Sequence, residues 1–289
     1  MERKTRHSDR LGRLRTLVSR RAVIAATFLG VALVPGGMIA ALAQPPVAPP
    51  AELAAKGSIA YCATIDNPPR AFHDTQQRPT GFEVELGTEI AKRMGLRVNW
   101  VQLKFVGLVP ALQARQCDAL MQELFIRPER LEIIDMIPFS RTGQRIVTTK
   151  GSTLRASSLD DLSGRKMAVP NGTTIHNLAI EANARLKAAG RPEINLVVLP
   201  TTTDTFQQLA AGQIEVLGTT TTAASYYIGL RPNDFRPEGD PFGLILTGIG
   251  LQKGNTALHD AMKRSFDTIV ADGTYKALIE KWNMQGSEL

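Results

Sequence analysis

Short apolar runs alternate with longer amphipathic ones through most of the chain. Residues 58–63 read as a buried strand, and Asn67-Pro68-Pro69-Arg70 then forces an extended turn. After Thr80-Gly81, the residues Phe82, Leu86, Ile90 and Met94 recur at a spacing of four, with Gly95 as a stop. That spacing predicts an amphipathic helix. A strand over 97–101, a short helix over 109–114 that Pro110 can open, and a third strand over 117–123 complete a β-α-β-α-β order.

The alternation then repeats without obvious sequence repetition. A turn is expected over 159–164, strands over 166–169, 195–199 and 215–218, and helices from about 173 to 189 and over 203–211. Residues 242–251 form another extended stretch, and two helices close the chain. The last of them puts Tyr275, Leu278, Ile279 and Trp282 on one face. Two α/β units of this kind predict parallel-rich sheets flanked by helices, in two lobes with a cleft between them.

Charge changes the picture only at the N-terminus. The 289 residues carry a formal net charge of +7. Residues 1–21 hold eight basic side chains against two acidic ones, and the rest holds 26 against 25. The remainder is near neutral, so no basic face calls for nucleic acid. After Arg21 comes an uncharged, mostly apolar stretch interrupted by Pro35-Gly36-Gly37 and ending in Ala41-Leu42-Ala43. This predicts an export signal over 1–43, cleaved near Ala43, with Ser19-Arg20-Arg21 resembling a twin-arginine signal. An uncleaved anchor is the rival reading. Residues 44–56 read as a linker, and the mature protein is expected in the periplasm.

Export permits a disulfide between Cys62 and Cys117, the only two cysteines. Cys62 falls in the first strand and Cys117 just ahead of the third. Parallel strands would set the two near opposite sheet ends, so two small buried residues are the expectation.

Candidate chemistry gathers at two loops. Between the third strand and the next helix lie Glu123, Phe125, Arg127 and Arg130. An arginine beyond the carboxyl end of a strand can grip a carboxylate with two parallel hydrogen bonds. An ordinary ion pair of Arg130 with Glu123 or Glu129 is the alternative. In the second half, Gly172-Thr173-Thr174 sits between a strand and a helix, where free N–H groups attract an anion or the threonines merely cap the helix. His73, His176 and His259 lack metal-ligand spacing, and neither a G-x-S-x-G pattern nor a phosphate-binding loop occurs. No metal or cofactor is expected.

The segments Gly81-Phe82-Glu83-Val84-Glu85-Leu86, Val109-Pro110-Ala111-Leu112, Cys117-Asp118-Ala119, Pro128-Glu129-Arg130 and Val169-Pro170-Asn171-Gly172-Thr173-Thr174 fall in a distinctive order, as does Ala271-Asp272-Gly273-Thr274-Tyr275 near the end. Together the chain resembles the family 3 extracellular solute-binding proteins, the amino-acid type that deliver to ABC importers, over about 57–284. The resemblance implies the two-lobed periplasmic-binding-protein fold (type II) with two hinge strands. Lobe 1 would comprise 57–143 plus 245–289, and lobe 2 would comprise 144–244. It implies a small-molecule carboxylate ligand, such as an amino acid or related organic acid, closed between the lobes, and an inner-membrane ABC permease as partner. It implies no enzymatic role; a monomer is expected.

By position, Arg130 matches the arginine that holds the ligand's α-carboxylate, and Gly172, Thr173 and Thr174 the loop that completes the grip. Leu108, Gln122, Glu123 and Phe125 match pocket-wall positions. Asn67 stands where a stacking aromatic is usual, Arg70 where Phe is usual, and Thr64 at a position acidic in binders of basic amino acids. Thr220 replaces the aspartate that receives the α-ammonium. Two ligand classes follow: acids without an α-ammonium, with Arg70 meeting a second acid group, or amines for which Glu123 supplies the missing charge. A cyclohexadienyl-dehydratase-like enzyme using Glu123 as general acid, and a ligand-sensing partner of a membrane receptor, are the competing functions.

Overall fold

The computed structural model describes residues 47–289, so the export-signal reading lies outside the described residues. Ahead of the first strand a short helix, α1 (Ala51–Lys56), occupies part of the stretch read as linker. It buries Leu53 and ends at Gly57 in the left-handed conformation, φ +64°.

The first half builds β1 (Ser58–Ala63), a small hairpin of β2 (Phe72–His73) and β3 (Pro79–Thr80), α2 (Phe82–Arg93), β4 (Arg97–Gln102), α3 (Leu108–Gln113), β5 (Ala119–Leu120) and α4 (Pro128–Leu131). The long strand β6 (Ile134–Thr149) leads into β7 (Lys166–Pro170), α5 (Thr174–Ala188), β8 (Asn195–Leu199), α6 (Thr202–Ala210), β9 (Val216–Thr220) and α7 (Thr221–Leu230). A second long strand, β10 (Phe235–Gln252), returns the chain to α8 (Thr256–Ala271) and α9 (Thr274–Lys281).

Strand order is β4-β1-β5-β10-β6-β9-β7-β8. Two parallel trios stand at the ends, β4-β1-β5 and β9-β7-β8, and the antiparallel pair β10-β6 joins them. The central strands of the trios are buried on both faces, β1 throughout and β7 beyond Lys166, as parallel strands are. Along β1, Ile59 and Tyr61 face one apolar cluster while Ala60 and Cys62 face another. Along β7, Met167 and Val169 likewise separate from Ala168. The clusters draw on 47–139 and 249–284 for the first trio and on 146–242 for the second. The fold is therefore two α/β lobes, as the alternation of elements predicted, joined by two hinge strands, as the resemblance implied.

Of three register shifts in β10, one falls between Thr247 and Gly248, and two fall at the middle of the pair, between Glu238 and Phe242 and between Phe242 and Ile245. Opposite them Gly143 lies so close to β10 that a Cβ there would stand 2.9 Å from the Phe242 carbonyl oxygen. A side chain at that point would wedge the hinge strands apart.

Cys62 and Cys117 are joined in a disulfide, with Cα atoms 5.7 Å apart, which corrects the expectation of two unpaired residues. The third strand is shorter than expected, and the segment before it folds across β1. The Asp118 N–H donates to the Ala60 carbonyl at 2.8 Å, and the Asp118 carboxylate accepts from the Ala60 N–H at 2.7 Å. Cys117 thus arrives at the middle of β1, on the face Cys62 already occupies.

Candidate functional site

A cavity of about 560 Å³, counted to its open mouth, lies at the carboxyl ends of the parallel strands. Ligands of open α/β sheets sit there. The first lobe supplies the loop after β1 (Thr64, Asp66, Asn67), Phe105 after β4, and Gln122, Glu123 and Phe125 after β5. The other side comes from Gln144 on β6, the turn into α5 (Pro170, Thr173, Thr174, Ile175), the start of α6 (Pro200, Thr201, Thr202), and Thr219 and Thr220.

Several buried polar atoms on this wall have no protein partner. Gln144 is 1% exposed, and neither its amide nitrogen nor its amide oxygen is hydrogen-bonded. The Thr174 hydroxyl is equally buried and unmet. Groups left this way normally cost stability, so each calls for an explanation. At the mouth of α5, Thr173 makes no side-chain cap, because its hydroxyl donates to the Pro170 carbonyl at 2.7 Å. The first-turn N–H groups are left without a side-chain acceptor, at the positive end of a 15-residue helix.

Beneath the cavity floor lies a charged cluster with almost no exposure. Arg70 Nε meets Glu123 Oε1 at 2.6 Å, and Arg70 Nη1 meets Glu83 Oε1 at 3.2 Å and donates to the Ser140 hydroxyl at 3.0 Å. Glu123 also accepts from Thr222 Oγ1 at 2.7 Å and from Asn67 Nδ2 at 2.9 Å. Thr222 belongs to α7, so this bond ties the lobes together, as does the bond from the Thr203 hydroxyl on α6 to the Asp66 carbonyl at 3.3 Å.

One guanidinium serves two carboxylates there. Burial pushes the Glu83 carboxyl up to about 7; Arg70 opposes the shift and Glu123 adds to it. A carboxyl whose pKa is raised by folding contributes most below its unfolded value of about 4.5, and that contribution is lost as pH rises through about 7. The loss amounts to about 3 kcal/mol. Thermal denaturation of Glu83→Gln, which mimics the protonated acid, is therefore expected to lack a decline between pH 5 and 8 that the parent shows. Parallel curves for the two proteins would refute this.

The residues singled out from the sequence divide into two groups. Asn67, Gln122, Glu123, Phe125, Thr173, Thr174 and Thr220 line the cavity. Arg70, Leu108, Gly172 and Arg130 do not. Arg70 is 0% exposed and held among its own partners, so no second acid group of a ligand can reach it. Leu108 is fully buried in the core beside the disulfide. The Gly172 N–H donates to His176 Nδ1 at 3.1 Å, and a side chain at Gly172 would meet Val106.

Arg130 stands beside the lining. Its Nη1 donates to the Phe125 carbonyl at 2.9 Å, and its guanidinium carbon lies 5.8 Å from the centroid of Phe105, a residue that does line the cavity. It forms no ion pair among the described residues, against the alternative of a pair with Glu123 or Glu129. Burial and the neighbouring Arg127 bring its pKa down to about 10, against the pull of Glu129.

Sequence reasoning passed over Asp66, Phe105 and Gln144. Asp66 was legible as an acid in the loop after β1, two residues past Thr64. Gln144 had no local signal, because polar residues interrupt the apolar run of β6; only the hinge crossing near Gly143 that the resemblance implies pointed to it.

Two facing α/β lobes, a cleft at their strand ends and unmet polar atoms inside it define a protein that encloses a small solute. The chain belongs to the bacterial extracellular solute-binding proteins, family 3, which it matches over residues 59–285. It is 27% identical to the L-cystine-binding protein TcyJ of Escherichia coli over 216 residues, 74% of this chain and 78% of that protein. Among solved structures, an ancestral arginine-binding protein bound to arginine superposes with a TM-score of 0.72 at 29% identity, over 78% of this chain and 98% of that one. The ancestral amino-acid-binding protein AncCDT-1, a precursor of cyclohexadienyl dehydratase, gives 0.73 at 28% identity, over 80% and 97%. These relatives are binding proteins rather than enzymes. Among the described residues no helix is long and apolar enough to cross a membrane, and no cluster of side chains gathers as a metal site.

Proposed function

We propose that this protein captures an amino acid or a closely similar solute in the periplasm and hands it to the permease of an ABC importer. Gln144 carries the reading. It lies on the hinge strand β6, between the two trios, with a donor and an acceptor both buried and unmet. A solute in the cavity would satisfy both, and would do so only with the lobes together, which is how binding shifts a hinged pair toward closure. We place the lobe boundaries near Gly143 and Leu244, where the register shifts cluster. Arg130 and the first turn of α5 are assigned to a carboxylate, the guanidinium reaching it past Phe105 from the edge of the lining. The names of the relatives support amino-acid transport, and the Glu123 carboxylate, already accepting from Arg70, Thr222 and Asn67, speaks against its service as a general acid.

Gln144→Leu tests this. Loss of two hydrogen bonds to the solute is expected to weaken binding by about 10- to 100-fold in isothermal titration. The ligand-free variant should melt no lower than the parent, because it loses only unmet polar atoms. Unchanged affinity, or a variant less stable than the parent without ligand, would reject the assignment.

A further inference from the structure

We propose that Asp66 receives a cationic group of the solute, so that the ligand class is an ammonium- or guanidinium-bearing compound anchored to the loop after β1. This rests on the cavity being the solute site. The lining contains two acidic side chains, Asp66 and Glu123, and no Lys, Arg or His. Glu123 has its charge met from behind, by Arg70 at 2.6 Å, and its oxygens also accept from Thr222 and Asn67. Asp66 forms no ion pair among the described residues. The two charges that act on it from outside the lining, Lys104 and Asp204, oppose each other.

Burial raises the carboxyl pKa of Asp66 in spite of the opposing pull of the Thr64 side chain, Lys104 and its own backbone N–H, so the charge is short of a counter-charge. A bound cation reverses that cost. Phe105 and Phe125 line the same cavity, and aromatic residues there suit an ammonium or a flat guanidinium.

The place the family resemblance gave to the ammonium cannot serve. Thr220 caps α7, its Oγ1 accepting from the Ala223 N–H at 3.3 Å and lying 3.1 Å from the Thr222 hydroxyl. It brings no charge. The cation receptor has therefore moved across the cleft, from the start of α7 to the loop after β1. Of the two ligand classes left open by the sequence, the amine-bearing one is favoured, with Asp66 rather than Glu123 as its direct contact.

The experiment uses mature protein freed of solute by unfolding and refolding. It is titrated calorimetrically with the common amino acids, ornithine, agmatine, putrescine, succinate and glutarate, alongside Asp66→Asn. At least one amine-bearing compound is expected to bind and the two dicarboxylates are not. Asp66→Asn should lower the affinity of the amine by about 30-fold or more while leaving the ligand-free melting temperature unchanged. Equal affinity in parent and variant, or binding of a dicarboxylate alone, would overturn the assignment while leaving the cavity as a solute site. Binding of nothing in the panel would count against the solute site itself, and the assignment of Asp66 would fall with it.

Discussion

Replacing Arg70 with alanine is expected to remove about 3–5 kcal/mol of folding stability, because two buried carboxylates lose their shared counter-charge. Glu83 and Arg70 are 0% exposed and Glu123 is 4% exposed, so water cannot take over the role of the guanidinium. The cluster also joins five parts of the molecule: the loop after β1, α2, the loop after β5 through Glu123, the hinge strand β6 through Ser140, and α7 through Thr222. The melting temperature should fall by roughly 10 °C, and further at pH 8 than at pH 6, where Glu83 is more often protonated. Arg70→Met combined with Glu83→Gln and Glu123→Gln should recover most of the loss, since a buried ion cluster replaced whole by neutral groups is often tolerated. Chemical denaturation of the single and triple variants measures both. A single variant as stable as the parent would mean that the charges are not coupled as described.

The disulfide is the second large term. It closes a loop between residues 55 apart in sequence, and the entropy removed from the unfolded chain corresponds to about 4 kcal/mol. Cys62→Ala with Cys117→Ala is expected to lower the urea midpoint accordingly, and reductant should do the same to the parent but not to the double variant. Both sulfurs lie in the first-lobe core with Leu108, Leu112 and Leu120, so cavity formation adds to the effect. Titration of denatured parent protein that found two free thiols would contradict the cross-link.

What the sequence disclosed follows from periodicity. The spacing of Phe82, Leu86 and Ile90 fixed α2, and the strand over 58–63 coincides with β1, because both depend on local burial patterns that tertiary contacts leave intact. β6 stayed hidden because Pro138, Ser140, Thr142, Gly143 and Gln144 interrupt its apolar run. Ser140, Thr142 and Gln144 are buried by tertiary packing, Gln144 at the cavity wall, which no local pattern reports. α7 was concealed by its threonine-rich start. The disulfide was misread because strand order alone was used, whereas the Asp118–Ala60 bonds bring Cys117 inward.

At the site, the residues taken from the loops on either side of the cleft do gather around one cavity. The exceptions have separate causes. Arg70 and Leu108 turn inward, where burial of a charge among partners and burial of a leucine each find better company than a ligand. Arg130 remains at the edge, drawn to the Phe125 carbonyl and the Phe105 ring. Asp66 went unremarked because a lone acid in a loop is ordinarily solvated, and only the closed cleft makes it half-buried and short of a cation.

Native mass spectrometry of protein released gently from the periplasm tests the central claim most directly. The expected spectrum holds a species heavier than the mature chain by one small polar molecule, lost on unfolding and regained when the refolded protein meets an amino-acid mixture. A protein that stays at the bare mass of the mature chain, both as isolated and after exposure to that mixture, would contradict it.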